Sequence, residues 1–292
     1  LDVAERYMER GQPLIAEELF REVLHSTQDQ RRRERALKGL ERDKPLLNLY
    51  RQLPSMLSRI QQAWPEAKVR VAAAGGLAVD IASLGVEDLG PLRDLPVAEL
   101  KCNQNRIATL EPLRGAPLTA LWCWSNSLTS LEPLRGAPLT WLECGQNFIV
   151  SLDPLRGMPL RRLLCHDNQI ADLEPLRGMP LQHLRCHNNR IADLSPLAGM
   201  PLEHIECQNN QIASLAPLRG LPLKWLECSN NPLTSLEPFV DNPPATFIFD
   251  CATLPDHELE RALAVWSQNP AHAAQAQSAR VMLARRRNTL LP

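Results

Sequence analysis

No stretch of this 292-residue chain approaches the roughly 18 apolar residues of a membrane-spanning helix, and no signal peptide is visible. Neither sign of charge predominates: 32 lysines and arginines face 33 aspartates and glutamates, a formal net charge of −1. That balance supplies no whole-protein attraction for nucleic acid. The usual catalytic motifs are missing too. There is no phosphate-cradling glycine loop, no G-x-S-x-G elbow and no H-E-x-x-H pair. Gly75-Gly76 lacks any G-x-G-x-x-G context. The chain reads as neither a membrane protein, a nucleic-acid binder nor an enzyme, and no cofactor is implied.

What the sequence does have is a period. Cys102, Cys123, Cys144, Cys165, Cys186, Cys207 and Cys228 recur every 21 residues. A catalytic cysteine or a disulfide framework needs no fixed spacing, so the period marks one structural unit copied and stacked. Aligned on the cysteines, the frame is L-x-x-L-x-C-x-x-N-x-[IL]-x-x-L-x-P-L-x-G-x-P. Position nine is asparagine in every copy, from Asn105 to Asn231.

Each column has a physical task. The L-x-C segment alternates, which predicts a short strand with leucine and cysteine pointing into one core. No single copy closes that core; stacked copies do. The asparagine amide can bond backbone where the strand bends and form a ladder from copy to copy. The Pro-Leu and Gly-x-Pro steps turn the chain back too tightly for a long helix. Most of the 25 prolines fall in these two columns.

This frame resembles the bacterial leucine-rich repeat of the internalin type, one residue shorter per copy and with cysteine at a strand leucine. The resemblance covers about residues 77–242. It implies an α/β repeat solenoid: a horseshoe with short parallel strands on the concave face, flanked by N- and C-terminal α-helical caps. A degenerate copy precedes the seven full ones, with Val79, Ile81, Val86, Leu89 and Pro91-Leu92 in phase but Leu84 in place of asparagine. About eight repeats therefore occupy residues 71–242. Seven thiols facing such a core behave as small hydrophobes, which predicts reduced structural cysteines and a cytoplasmic setting. Because the sequence starts at Leu1 rather than methionine, a piece of a longer protein is expected.

Residues 1–70 are helical by pattern and resemble a tetratricopeptide unit, with Gly11 at the turn, Ala16 at the close approach and Phe20 as the aromatic. Arg35 to Leu40 is expected to open a second unit, and Pro54 to Trp64 to form an amphipathic helix capping the first repeat. Residues 243–292 follow a Pro243-Pro244 break. Thr246 to Asp250 predicts an edge strand, Asp256 to Trp266 a helix, and Pro270 to Arg287 another. Exposed core at the ends of a repeat stack needs such covers.

Function is sought in the positions the framework does not use. Strand positions three, five and seven point away from the core. Column three runs Glu99, Ala120, Trp141, Arg162, His183, His204, Trp225; column five runs Lys101, Trp122, Glu143, Leu164, Arg185, Glu206, Glu227. Column seven runs Asn103, Trp124, Gly145, His166, His187, Gln208, Ser229. Four of six tryptophans and four of seven histidines thus fall on one face. Tryptophan, arginine and histidine in a polar surround are typical of interaction hot spots. The candidate partner-binding residues are Trp122, Trp124, Trp141, Glu143, Arg162, His166, His183, Arg185, His187, His204, Glu206 and Trp225. The competing reading is that these rings stack on one another to stabilise the sheet.

Other features carry less. His183, His187, His204 and Asp167 lie on neighbouring strands, but His183 and His187 are some ~13 Å apart by the strand rise. His183 with His204, or His166 with His187, would give only two-ligand sites, so no metal is assigned. Arg114, Arg135, Arg156, Arg177 and Arg219 repeat on the opposite side with acids three residues upstream of most, which reads as a surface ion-pair ladder. Cys251, off the period, has only His257 as a nearby base and is expected to be a core residue of the last strand.

The function read from these features is a non-catalytic module that binds a protein or peptide on its concave face. Tetratricopeptide plus leucine-rich repeats resemble the regulatory segments of large bacterial signalling or defence proteins, which implies recognition or scaffolding. The alternative is an enzyme with a cryptic metal site in the histidine-bearing face or a reactive cysteine in the tail. Oligomeric state is left open.

Overall fold

The computed structural model describes residues 2–9, 12–26, 29–73, 75–250 and 252–288. Its contacts divide the chain into two compact units, Leu1–Val79 and Asp80–Pro292.

The first unit opens with helices α1 (Asp2–Glu9), α2 (Pro13–Ser26) and α3 (Gln30–Ala63). Ala4, Ala16, Phe20 and Ala36 form their shared core, with Tyr7, Leu19, Val23 and Leu40 packed around it. Small alanines let the helices approach closely while Phe20 fills the remaining space. Gly11, expected at the turn, lies outside the described residues. Asp29 caps α3 by accepting from the amides of Arg31, at 2.9 Å, and Arg32, at 3.3 Å.

Here the structure corrects two expectations. Arg35–Leu40 opens no second hairpin and Pro54 starts no separate helix; both lie inside α3, which runs through Pro45 and Pro54. An interior proline costs about 3 kcal/mol. Leu47, Leu49, Met56 and Ile60 are buried along the same helix, and at about 1.5–3 kcal/mol each they offset two such breaks. Strands β1 (Lys68–Val71) and β2 (Leu77–Asp80) follow.

The second unit is the repeat stack. Its strands are β3 (Val97–Lys101), β4 (Ala120–Trp122), β5 (Trp141–Glu143), β6 (Arg162–Leu164), β7 (His183–Arg185), β8 (His204–Glu206), β9 (Trp225–Glu227) and β10 (Thr246–Ile248). Consecutive strands pair in parallel with a constant step of 21: Glu99 opposite Ala120, Ala120 opposite Trp141, and so on to Trp225 opposite Thr246. The sequence period is therefore the sheet register, and each strand column of the alignment is a row of directly opposed residues.

Positions four and six are buried throughout, leucine (once isoleucine) and cysteine in turn. All seven periodic cysteines are free and buried. Burial raises the thiols of Cys102, Cys123, Cys144, Cys165 and Cys186 far above the usual range. The asparagine column ties the copies together. Asn126 Nδ2 donates to the carbonyls of Cys102, at 2.9 Å, and Cys123, at 3.1 Å. Its Oδ1 accepts from Ile107 N at 2.9 Å. Cys102 and Ile107 belong to the preceding copy, so these two bonds form only where a preceding copy exists. Asn105 accordingly reaches back to Ile81 O and Val86 N, and the first copy carries Leu84 at that position instead.

After each strand the residue at position eight turns into the left-handed region: Gln104, Ser125, Gln146, Asp167, Asn188, Asn209 and Asn230 have φ between 52° and 56°. Short 3-10 turns such as Glu111–Leu113 and Glu174–Leu176 then carry the chain along the other side. Their first amides are satisfied by the residue two before, as when Thr109 Oγ1 accepts from Glu111 N. Gly115 and its equivalents close the return at φ 74–77°, a conformation glycine adopts without strain. The arginine row pairs locally: Arg114 with Glu111 at 2.6 Å, Arg135 with Glu132 at 2.7 Å, Arg156 with Asp153 at 3.1 Å, Arg177 with Glu174 at 2.7 Å. Arg219, whose upstream neighbour is Ala216, pairs with Glu237 instead.

The end of the stack is covered by α4 (Asp256–Trp266) and α5 (Ala273–Asn288). Phe249 takes the place in the thiol column that the period assigns to it, packed on Phe247 and Trp266. Cys251, expected as the core residue there, lies outside the described residues. The cover is hydrogen-bonded as well as apolar. Trp266 Nε1 donates to Val240 O at 2.9 Å, and Gln275 Nε2 to Pro244 O at 2.9 Å. Buried Glu258 accepts from Ser235 Oγ at 2.6 Å and Leu236 N at 3.1 Å.

Candidate binding face

Positions three and five stand on the face of the sheet opposite the leucine and cysteine rows, and position seven follows just beyond the strand. The twelve residues singled out from the sequence all lie there. All but Arg185, which is exposed, are half-buried. The register sorts most of them into two groups.

The first group lies on β3 to β6. Trp122, at position five of β4, meets Trp141, at position three of β5, with ring centroids 5.4 Å apart and planes at 49°. A cation closes each end of this pair: Lys101 Nζ is 5.6 Å from the Trp122 ring and Arg162 Cζ is 4.5 Å from the Trp141 ring. Trp141 Nε1 donates to Glu143 Oε1 at 2.8 Å, which fixes the indole's tilt. Trp124, at position seven, stands outside this stack.

The second group lies on β6 to β9. His204 stacks on Trp225 at 5.4 Å and 12°, and tilts toward His183 at 5.8 Å. His166 stacks on His187 at 4.7 Å and 21°. Glu206 is the hub: its Oε1 accepts from Arg185 Nε at 2.9 Å and lies 2.7 Å from His204 Nε2. Its Oε2 lies 3.8 Å from His187 Nδ1. Burial, then the neighbouring His187, lowers the imidazole pKa of His166. Burial, then Arg162 and His204, lowers that of His183. Several polar atoms here are buried without a hydrogen-bond partner: His166 Nδ1, His187 Nδ1, Gln208 Oε1 and Trp225 Nε1.

Known structures that this chain resembles share the repeat. InlF, an internalin of Listeria monocytogenes, is 24% identical with a TM-score of 0.51, over 61% of this chain and 62% of its own. The fold is a leucine-rich repeat solenoid. Internalin C2 of the same species is 28% identical with a TM-score of 0.42, over 50% of this chain and 77% of its own. The functional domain of InlJ from L. monocytogenes, which includes a cysteine ladder, is 24% identical with a TM-score of 0.33, over 55% of this chain and 45% of its own. No protein-family model matches the sequence, and no curated protein does. This chain spans about 62% of the length of InlF. No helix among the described residues is long and apolar enough to cross a membrane.

Two features of this leucine-rich repeat were not singled out as functional from the sequence. At position eight the side chains of the last copies form a chain of hydrogen bonds. Asn230 Nδ2 donates to Asn209 Oδ1 at 2.8 Å, Asn209 to Asn188 at 2.6 Å, and Asn188 to the Asp167 carboxylate at 2.5 Å. The run Asp-Asn-Asn-Asn at one period was the available signal. The other is Gly145, where a Cβ would meet the His166 ring at 2.4 Å; a missing side chain in column seven makes room for the next copy's imidazole. The tail offers little chemistry. His257 is 77% exposed with Nε2 3.8 Å from Glu258, and Cys251, its expected partner, lies outside the described residues.

Proposed function

We propose that this solenoid is a non-catalytic recognition module that grips a protein or peptide on the concave face of its sheet. The observation that carries the reading is the row Lys101, Trp122, Trp141 and Arg162, half-exposed indoles sandwiched between two cations. Large aromatics held rigid in a polar surround present much contact area with little side-chain entropy to lose. The histidine and Glu206 group extends the same surface with charged and hydrogen-bonding side chains, the exposed Arg185 among them. In this reading Trp124 and Arg185 form the rim, and the module serves as the recognition or regulatory part of a larger bacterial signalling or defence protein.

Selection from a displayed random-peptide library tests the reading. The chain is expected to enrich a sequence family whose binding protects Trp122 and Trp141 from oxidative footprinting. Failure to enrich any family, or protection confined to the arginine-bearing side, would overturn it.

A further inference from the structure

We propose that His166, Asp167 and His187 form a binding site for one divalent first-row transition ion of the zinc type. Each residue offers one ligand atom, and the three atoms lie within 4.8 Å of one another. Sequence spacing pairs His166 with His187 and stops at two ligands. The third arrives because Asp167 occupies the left-handed turn position, φ 52°, which swings its carboxylate back beside the imidazole pair. His166 Nε2 lies 3.9 Å from Asp167 Oδ2.

The surroundings are those of a prepared site. Both histidines keep a buried Nδ1 that no protein group satisfies, which is costly unless something binds there. The Asp167 carboxylate is held by Asn188 through Oδ1, at the head of the amide chain from Asn230. Its other oxygen, Oδ2, is left facing the rings. That is the outer-shell support that orients a ligating carboxylate. His166 is seated in the gap left by Gly145 and covered on the other side by the His187 ring. The Glu206 Oε2 at 3.8 Å from His187 adds a second negative charge beside the site.

The donor set decides the kind of ion. Two imidazoles and one carboxylate suit zinc and its first-row neighbours, whereas calcium and magnesium take oxygen cages. Zinc bonds of about 2.0–2.2 Å in tetrahedral geometry bring donors to about 3.4 Å from one another. Binding therefore turns the two rings out of their stack and draws the three donors together. Three protein ligands leave an open position for water, or for a donor atom of a bound molecule.

The test uses the tag-free chain, stripped of metal and kept reduced. Zinc is titrated by calorimetry and cobalt by visible absorption. The expected result is one equivalent of zinc, competing with cobalt, whose d–d bands appear without the intense near-ultraviolet band of thiolate ligands. His187→Ala and Asp167→Asn should each weaken zinc by at least about tenfold; asparagine is used because it tolerates the left-handed turn. Gly145→Ala, which pushes the His166 ring aside, should weaken it too, while His183→Ala leaves it unchanged. Absence of uptake, a thiolate band, or undiminished affinity in folded His187→Ala and Asp167→Asn would overturn the assignment.

Discussion

The ring of Phe20 lies against the bare Cα of Gly39, where an added Cβ would meet Cζ at 2.8 Å and Cε1 at 2.9 Å. Two effects oppose each other at this contact. Glycine inside α3 gives up about 1 kcal/mol of helix propensity relative to alanine. Overpacking a full core costs typically about 1–3 kcal/mol. Gly39→Ala should therefore destabilise the helical unit, against its propensity. Combining it with Phe20→Leu should recover part of the loss, read as the chemical denaturation midpoint of each variant.

The asparagine column should dominate the stability of the stack. Asn147 is buried; its Nδ2 serves Cys123 O, Cys144 O and Gly145 O, and its Oδ1 takes Leu128 N. Asn147→Ala leaves Leu128 N without its acceptor, while Cys123 O, Cys144 O and Gly145 O each keep another donor in Asn126 Nδ2, Asn168 Nδ2 and Ser125 N. The loss in denaturant unfolding should be about 1–3 kcal/mol, the cost of one buried unsatisfied group. Asn105→Ala, at the half-exposed first full copy, should cost less. A result in the opposite order would contradict the ladder.

The thiol rows predict chemical silence. Burial holds the Cys165 thiol protonated at neutral pH, and the thiolate is the reactive form. None of the seven periodic cysteines should react with an aromatic disulfide reagent in the native state, and all seven should react on unfolding. Mass mapping of the labelled cysteines reads the result.

These rows also show how far the sequence carries. Cys102 to Cys228, the asparagines and the prolines are framework residues, and their period gives both the copy boundaries and the 21-residue register that the sheet realises. The same alternation placed Trp122, Trp141 and Trp225 on the face away from the thiols. What the pattern did not carry was contact between copies beyond the strands. Asp167 differs from Asn188, the next residue of its column, only by an oxygen in place of the amide nitrogen, yet its carboxylate meets both His166 of its own copy and Asn188 of the next. In α3 the difference has another origin: local preference makes Pro54 a boundary, while tertiary burial of Met56 and Ile60 keeps the helix continuous.

The buried cap carboxylate predicts a pH dependence. Hydrogen bonding from Ser235, then from Leu236 N, lowers the Glu258 pKa below its ordinary 4.5 in the folded chain. A depressed folded value means the unfolded chain binds the proton first. The stabilisation is thus complete above 4.5 and is lost as pH falls through the folded value. Glu258→Gln keeps a neutral acceptor and gives up the charged one, a difference of about 1 kcal/mol. The parent should melt higher at pH 7, and the two thermal midpoints should converge in acid.

Two roles compete for the indoles of Trp122 and Trp141: contact with a partner and support of the sheet. The measurement that separates the two is the dissociation constant of a library-selected peptide for the parent and for Trp122→Ala and Trp141→Ala, taken beside their thermal midpoints. If they serve a partner, each substitution weakens binding by about 2 kcal/mol or more while the midpoint stays nearly unchanged. Equal binding, or a loss of stability that matches the loss of binding, would instead assign Trp122, Trp141 and Arg162 to the scaffold.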